Sequence, residues 1–95
     1  MLRGKRKTEK GTVVCRASSQ GGTEYILLHE MGEDEQIYSL LIKAKDGESR
    51  CFSDIARCFE SARHLFCMFL REEVSVINAD EVFEELLARE PSLFV

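Results

Sequence analysis

The first half of the chain alternates apolar and polar residues in short segments, a pattern typical of strands. It predicts four strands, over residues 12–16, 24–30, 36–45 and 48–52. Segments with the composition of loops and charged turns separate the first three of them. We therefore expect an antiparallel meander sheet of three to four strands.

The dipeptide Asp46-Gly47 lies between the third and fourth segments and predicts a two-residue type I′ hairpin loop. Such a loop places Leu41 opposite Phe52 and assigns every side chain of the hairpin to one of two faces. We expect one face to join the core and the other to be solvated or only partly covered. The core face then carries Tyr38, Leu40, Ile42, Ala44 and Cys51, and the second face mixes Leu41 and Phe52 with Ser39, Lys43 and Arg50.

An amphipathic helix is predicted over residues 54–72, with Ser53 as its N-cap and Asp54 in its first turn. Its apolar residues fall within one arc about 140° wide, as in a helix that covers a sheet. Cys67 and Met68 lie on the flanks of the polar face, so we expect the second helix or a protein partner to cover them. The residues in the arc are Ile55, Cys58, Phe59, Ala62, Leu65, Phe66, Phe69 and Leu70.

A second helix is predicted to begin near Ala79, because Asn78 is a favourable N-cap and Glu81 completes a capping box. Ile77 and Val82 have the spacing of a hydrophobic staple. Pro91 ends the helix near residue 90. The link over residues 73–77 is apolar enough to be packed between the two helices.

These elements predict an α+β fold of ββββαα order, in which the two C-terminal helices pack on one face of the sheet. We expect one domain over residues 12–95, preceded by a flexible basic tail over residues 1–11. The apolar segment Leu93-Phe94-Val95 follows the last helix. It is expected to dock onto the domain, or else to serve as a peptide for the groove of another protein.

The formal charge of the chain is unevenly distributed. Residues 1–10 carry five basic and one acidic side chain (+4), and residues 11–95 carry eight basic and sixteen acidic ones (−8), which sum to the net charge of −4. An acidic body repels phosphate backbones and anionic lipids, so nucleic acid and membrane are unexpected partners. The basic tail is either a solvated terminus or a contact for nucleic acid, so nucleic-acid binding stays open only through the tail.

Candidate chemistry is sparse. Cys15, Cys51, Cys58 and Cys67 form no Cys-x-x-Cys pair, which argues against zinc and favours reduced thiols packed as small apolar side chains. His64 lies on the polar face of the first helix without a nucleophile on that face. With no signal peptide visible, we expect a cytoplasmic protein. Because the residues assemble no catalytic or metal-binding group, we expect that it is not an enzyme and needs no cofactor.

Five stretches resemble a family of small uncharacterised proteins from Clostridia and related Firmicutes, a domain of unknown function. That family commonly has Val-Ser-Pro and a histidine before its last helix, whereas this chain has Val76 after Ser75 and Asn78 as the cap. The resemblance implies a compact protein of the bacterial cytoplasm, and it supplies no activity for the chain, because the family is one of unknown function. The stretches are Glu24-Tyr25-Ile26-Leu27-Leu28, Tyr38-Ser39-Leu40-Leu41-Ile42, Asp54-Ile55-Ala56, Phe69-Leu70-Arg71-Glu72-Glu73-Val74-Ser75 and Asp80-Glu81-Val82-Phe83-Glu84-Glu85-Leu86-Leu87.

The leading hypothesis is a non-catalytic protein-interaction or regulatory module that binds an unknown protein partner or a second copy of itself. The alternative is a protein that associates with nucleic acid through its basic tail. The apolar side chains left without an assigned place in the core form the candidate interface. They are Leu41, Phe52, Cys67, Met68, Leu93 and Phe94.

Overall fold

The computed structural model describes residues 11–32 and 34–89, so most of the basic tail and the segment Leu93-Phe94-Val95 lie outside the described residues. It confirms an α+β fold in which a four-stranded antiparallel meander, in the order β1-β2-β3-β4, precedes two helices. The elements are β1 (Thr12–Ser18), β2 (Glu24–Met31), β3 (Gln36–Lys43), β4 (Ser49–Ala56), α1 (Phe59–Arg71) and α2 (Ala79–Arg89).

The core lies between one face of the sheet and α1. On the sheet side it uses alternate residues of the two central strands, as the pleat requires. On the helix side it uses residues spaced three or four apart, which share one side of a helix. The buried residues include Tyr25 and Leu27 of β2, Tyr38, Leu40 and Ile42 of β3, and Ala62, Leu65, Phe66 and Phe69 of α1.

Ala44 and Glu48 still pair beyond the ends of β3 and β4, so the hairpin loop has three residues, Lys45, Asp46 and Gly47, and the predicted two-residue loop is wrong. The Ala44 N–H donates to the Glu48 carbonyl oxygen at 2.7 Å, and the Gly47 N–H donates to the Ala44 carbonyl oxygen at 3.1 Å. Of the loop residues, only Gly47 has a positive φ, at 103°. This is a type I turn followed by a glycine bulge, which a sequence containing Asp-Gly accepts as readily as the type I′ turn.

The extra loop residue moves the register of the hairpin by one position. Leu40 now lies opposite Phe52, and Leu41 lies opposite Cys51. Because side chains alternate between the two faces, a shift of one residue exchanges the faces of the whole strand. Phe52 therefore points toward the helices and Cys51 away from them, the reverse of the prediction.

The first helix begins at Phe59, so its predicted start at Asp54 is wrong. β4 continues instead to Ala56, which pairs with Tyr38 of β3. Two extra residues of β4 form a bulge before that pair, and Asp54 in the bulge has a φ of 54°. Pairing with β3 satisfies backbone groups that a first helical turn would leave without partners, and it still buries Ile55.

The end of α1 is fixed by a Schellman motif. The Val74 N–H donates to the Phe69 carbonyl oxygen and the Glu73 N–H to that of Leu70, both at 3.1 Å. Glu73 takes the left-handed conformation, with a φ of 52°. The Tyr25 hydroxyl then donates to the Val74 carbonyl oxygen at 2.6 Å, and burial raises the pKa of this phenol. The connection between the helices is thus held against β2.

The second helix begins at Ala79 as predicted, but its cap differs from the predicted capping box. Ile77 is 90% exposed, so no hydrophobic staple forms. The Asn78 Oδ1 accepts hydrogen bonds from the Ser75 N–H at 2.9 Å and the Ser75 hydroxyl at 3.0 Å. The Asn78 carbonyl accepts the first helical hydrogen bond, from the Val82 N–H. Asn78 keeps the N-cap position while its side chain orders the preceding turn.

Aromatic stacking and an ion pair join α2 to β4. The rings of Phe83 and Phe52 stack with their centroids 4.5 Å apart. The Arg50 guanidinium lies 5.3 Å from the centre of the Phe52 ring and pairs with Asp80 of α2. Both helices therefore lie on the same side of the sheet, and among residues 11–32 and 34–89 no helix lies on the other side.

Candidate functional site

The candidate site is the side of the sheet that faces away from both helices, which we call the open face. Alternation along the strands assigns its residues, since Ile26 pairs with Arg16 and with Leu41, and Leu41 pairs with Cys51. None of these four belongs to the core cluster beneath the helices. The open face comprises Val13, Arg16 and Ser18 of β1, Glu24, Ile26, Leu28 and Glu30 of β2, Ile37, Ser39, Leu41 and Lys43 of β3, and Ser49 and Cys51 of β4.

A shallow depression of about 410 Å³ occupies the middle of the open face. Ile26 is only 4% exposed and forms its floor. Leu28 and Leu41 are half-buried, and Val13 is 48% exposed. The centre of this surface is therefore apolar, although neither helix covers it.

Charged side chains of alternating sign lie across one end of the open face. The Arg16 Nε of β1 lies 3.1 Å from the Glu24 Oε2 of β2. Glu24 in turn pairs in register with Lys43 of β3. The order across three neighbouring strands is basic, acidic, basic, and the charges flank the apolar centre.

The structure distributes the described members of the predicted interface over different surfaces. Leu41 lies on the open face and lines the depression. Phe52 lies on the helix side, between Phe83 and Phe69, whose ring is 6.2 Å away. Its prediction as a side chain of the second face is therefore wrong, and the reason is the one-residue register shift.

The two flanking residues of α1 also differ from each other. Met68 packs against the core and lines a crevice of about 240 Å³ together with Val82 and Leu86 of α2. Met68 therefore lies next to the second helix, in agreement with one of the two predicted explanations. Cys67 is exposed on the outer side of α1, whereas Leu93 and Phe94 lie outside the described residues.

Val13, Ile26 and Leu28 belong to the open face, although the sequence analysis did not select them. A signal for two of them was present, because Tyr25-Ile26-Leu27-Leu28 is apolar at every position. A strand that contacts only one apolar layer alternates, whereas a continuous apolar run indicates that both of its faces are apolar. The run thus pointed to a second apolar surface.

Cys58 is the thiol with the most altered environment among the described cysteines. It is exposed at the N-cap of α1, so its predicted place in the apolar arc is wrong. The Cys58 Sγ lies 3.4 Å from the Ser61 Oγ, and hydrogen bonding with the Ser61 hydroxyl and with the N–H groups of Ser61 and Glu60 lowers the pKa of the thiol. The cause is local, since the N–H groups of a first helical turn favour a negative charge.

The two histidines lie in different settings. His64 is exposed on α1, as predicted. His29 is half-buried, and its Nε2 lies 3.0 Å from the Gln36 Oε1, which also accepts a hydrogen bond from the Tyr38 hydroxyl. Among residues 11–32 and 34–89, no group of three or more His, Cys, Asp or Glu side chains is placed to hold a metal ion.

Comparisons with known proteins add no relative to this description. No protein-family model, curated protein or solved structure matches the chain. In the described part of the chain, neither helix is long and apolar enough to cross a membrane.

Proposed function

We propose that this chain is a non-catalytic protein-interaction or regulatory module of a bacterial cytoplasm, and that the open face is its contact surface. One observation carries the proposal: Ile26, Leu28 and Leu41 form an apolar centre on the side of the sheet that neither α1 nor α2 covers. Val13 beside this centre is 48% exposed, and an apolar surface rimmed by polar residues commonly marks a binding site. The polar rim of Arg16 and Lys43 around this centre fits the usual anatomy of an interface.

The shape of the open face also favours a macromolecular partner over a small ligand. Its depression is wide and shallow, and its lining residues lie on four neighbouring strands and on Gly11. Small-molecule sites usually enclose most of the ligand surface, which a shallow sheet face does not. A flat apolar surface with a charged border instead suits contact with another folded surface.

The cytoplasmic part of the proposal is supported by the cysteines. All four thiols are free, and Cys58 and Cys67 are exposed. Free exposed thiols persist in a reducing compartment and tend to oxidise outside it. The resemblance to the clostridial family supports the same compartment and remains a prediction.

The test compares two leucines that differ in location. Leu41→Glu places a charge at the centre of the open face, whereas Leu87→Glu places the same charge on the 40% exposed Leu87 of α2. We expect Leu41→Glu to abolish capture of the proteins or copies that the wild type binds, and Leu87→Glu to retain it. Circular dichroism establishes that both variants are folded. Equal binding by the two folded variants would contradict the proposal.

A further inference from the structure

We infer that the occupant of the open face is a second copy of this chain, stacked sheet to sheet. The two-fold axis lies midway between the two stacked sheets, runs parallel to the strands and passes above the line between β2 and β3. This inference rests on the proposed function, because it names the partner of the same surface. The register of the two central strands and the order of charges across them favour this arrangement.

A symmetric dimer requires a surface that is complementary to itself. Rotation about the proposed axis places β2 of one copy over β3 of the other, so every residue faces the copy of its own cross-strand partner. Ile26 pairs with Leu41 in the sheet, and Ile26 therefore faces Leu41 of the second copy. The same operation places Leu41 over the second Ile26. Four apolar side chains meet at the centre.

The shape of the centre agrees with this exchange. Ile26 is the recessed floor of the depression, whereas Leu41 is half-buried on its wall. Stacked sheets lie about 10 Å apart, and their side chains interdigitate. Each Leu41 can therefore enter the depression of the other copy above Ile26.

The charges at the end of the sheet follow the same operation. Glu24 pairs in register with Lys43, so the two-fold axis places Glu24 of each copy over Lys43 of the other. Two ion pairs form across the interface, each between Glu24 of one copy and Lys43 of the other. No like charges of these two strands meet. Rows of equal charge on both strands would have opposed this arrangement, so the alternation favours a second copy.

The area of the face is sufficient for a weak dimer. Strands of seven or eight residues at about 3.3 Å per residue and about 4.8 Å apart give a footprint of roughly 500 Å². Two copies then bury roughly 1,000 Å², near the lower limit for a specific interface. Interfaces near this limit are typical of weak or transient complexes, so we expect a dimer that dissociates on dilution.

The test uses charge reversals on the full chain, measured by sedimentation equilibrium at physiological salt. Glu24→Lys and Lys43→Glu each replace two attractive contacts of the dimer with two repulsive ones. We expect each variant alone to dimerise at least about tenfold more weakly than the wild type. In an equimolar mixture, the lysine introduced in one variant faces the glutamate introduced in the other, so dimers should return to within about threefold of the wild-type affinity. Thermal unfolding establishes that both variants are folded.

A second variant keeps the inference testable if a charge reversal does not fold. Leu41→Glu should make the chain monomeric, whereas Leu87→Glu on α2 should leave the dimer intact. A mixture of the two reversals that stays monomeric, or a dimer that survives Leu41→Glu, would overturn the two-fold arrangement.

The outcomes separate this inference from the proposed function. A wild-type chain that stays monomeric to about 0.5 mM, but loses a protein partner in Leu41→Glu, overturns the second copy and retains the contact surface. A chain whose binding and self-association are both indifferent to Leu41→Glu overturns the two together.

Discussion

Glu73 holds an unfavourable backbone conformation that the fold around it requires. Its φ of 52° allows Val74 to turn back and bond to Phe69, and Val74 and Phe69 are both buried. A side chain with a Cβ in the left-handed region costs about 1 kcal/mol relative to glycine. The energy of the Schellman motif and of the Val74 contact therefore offsets a local strain.

Replacing Glu73 by glycine should stabilise the chain. We expect Glu73→Gly to raise the free energy of unfolding by about 0.5–1 kcal/mol, because the substitution relieves the backbone strain. The relieved strain exceeds the opposing effect of glycine, which makes the unfolded chain more flexible. Urea denaturation measures this change. Glu72→Gly is the matched control, because Glu72 has a φ of −81° and the same substitution there should destabilise. Equal effects at both positions would show that backbone strain is not the cause.

Cys58 should react with alkylating reagents at a lower pH than an ordinary thiol. Its lowered pKa means that more thiolate, the reactive form, is present at neutral pH. Peptide mapping after iodoacetamide treatment at several pH values gives the midpoint for this site. Ser61→Ala removes the main hydrogen bond and should move the midpoint upward. A midpoint that Ser61→Ala leaves unchanged would contradict this explanation.

At the scale of the elements, the β3–β4 loop depends on one glycine. Gly47 has a φ of 103°, and a Cβ added there would have no atom within 4 Å, so an alanine meets a backbone cost but no clash. We expect Gly47→Ala to lower the free energy of unfolding by about 1 kcal/mol. Gly21→Ala, whose added Cβ has only the Ser19 hydroxyl at 3.8 Å, should change it little. Chemical denaturation of both variants makes the comparison.

The sequence predicts the elements better than it predicts their limits. Four strands and two helices follow from periodicity, because a strand repeats every two residues and a helix every 3.6. The start of α1 does not follow, since Ile55 and Cys58 fit the helical arc although one lies in β4 and the other caps the helix. Only pairing with β3, a contact distant in sequence, decides between the two states.

The register of the β3–β4 hairpin could not be predicted from the sequence for a similar reason. Asp46-Gly47 satisfies both a two-residue and a three-residue loop. Burial of Phe52 against Phe83 of α2 and Phe69 of α1 favours the three-residue loop. That preference depends on tertiary packing, which a local turn signal does not contain. It also explains why the predicted interface joined Leu41, which lies on the open face, with Phe52, which contacts the helices.

At the scale of the whole molecule, the sheet has two apolar faces and the helices cover one of them. Tyr25 and Leu27 of β2 lie beneath α1, while Ile26 and Leu28 of the same strand lie on the open face. Hydrophobic burial contributes about 25 cal/mol per Å² of apolar surface removed from water. Val13 is 48% exposed and Leu28 and Leu41 are half-buried, so a partner surface that covers these three side chains gains free energy by removing their remaining apolar area from water.

The most direct test of the open face as a contact surface is methyl NMR of the full chain over a dilution series. We predict concentration-dependent shifts of the Val13, Ile26, Leu28 and Leu41 methyl signals, with Leu86 and Leu87 of α2 unchanged. Shifts confined to α2, or spectra that do not change with concentration, would contradict self-association through the open face.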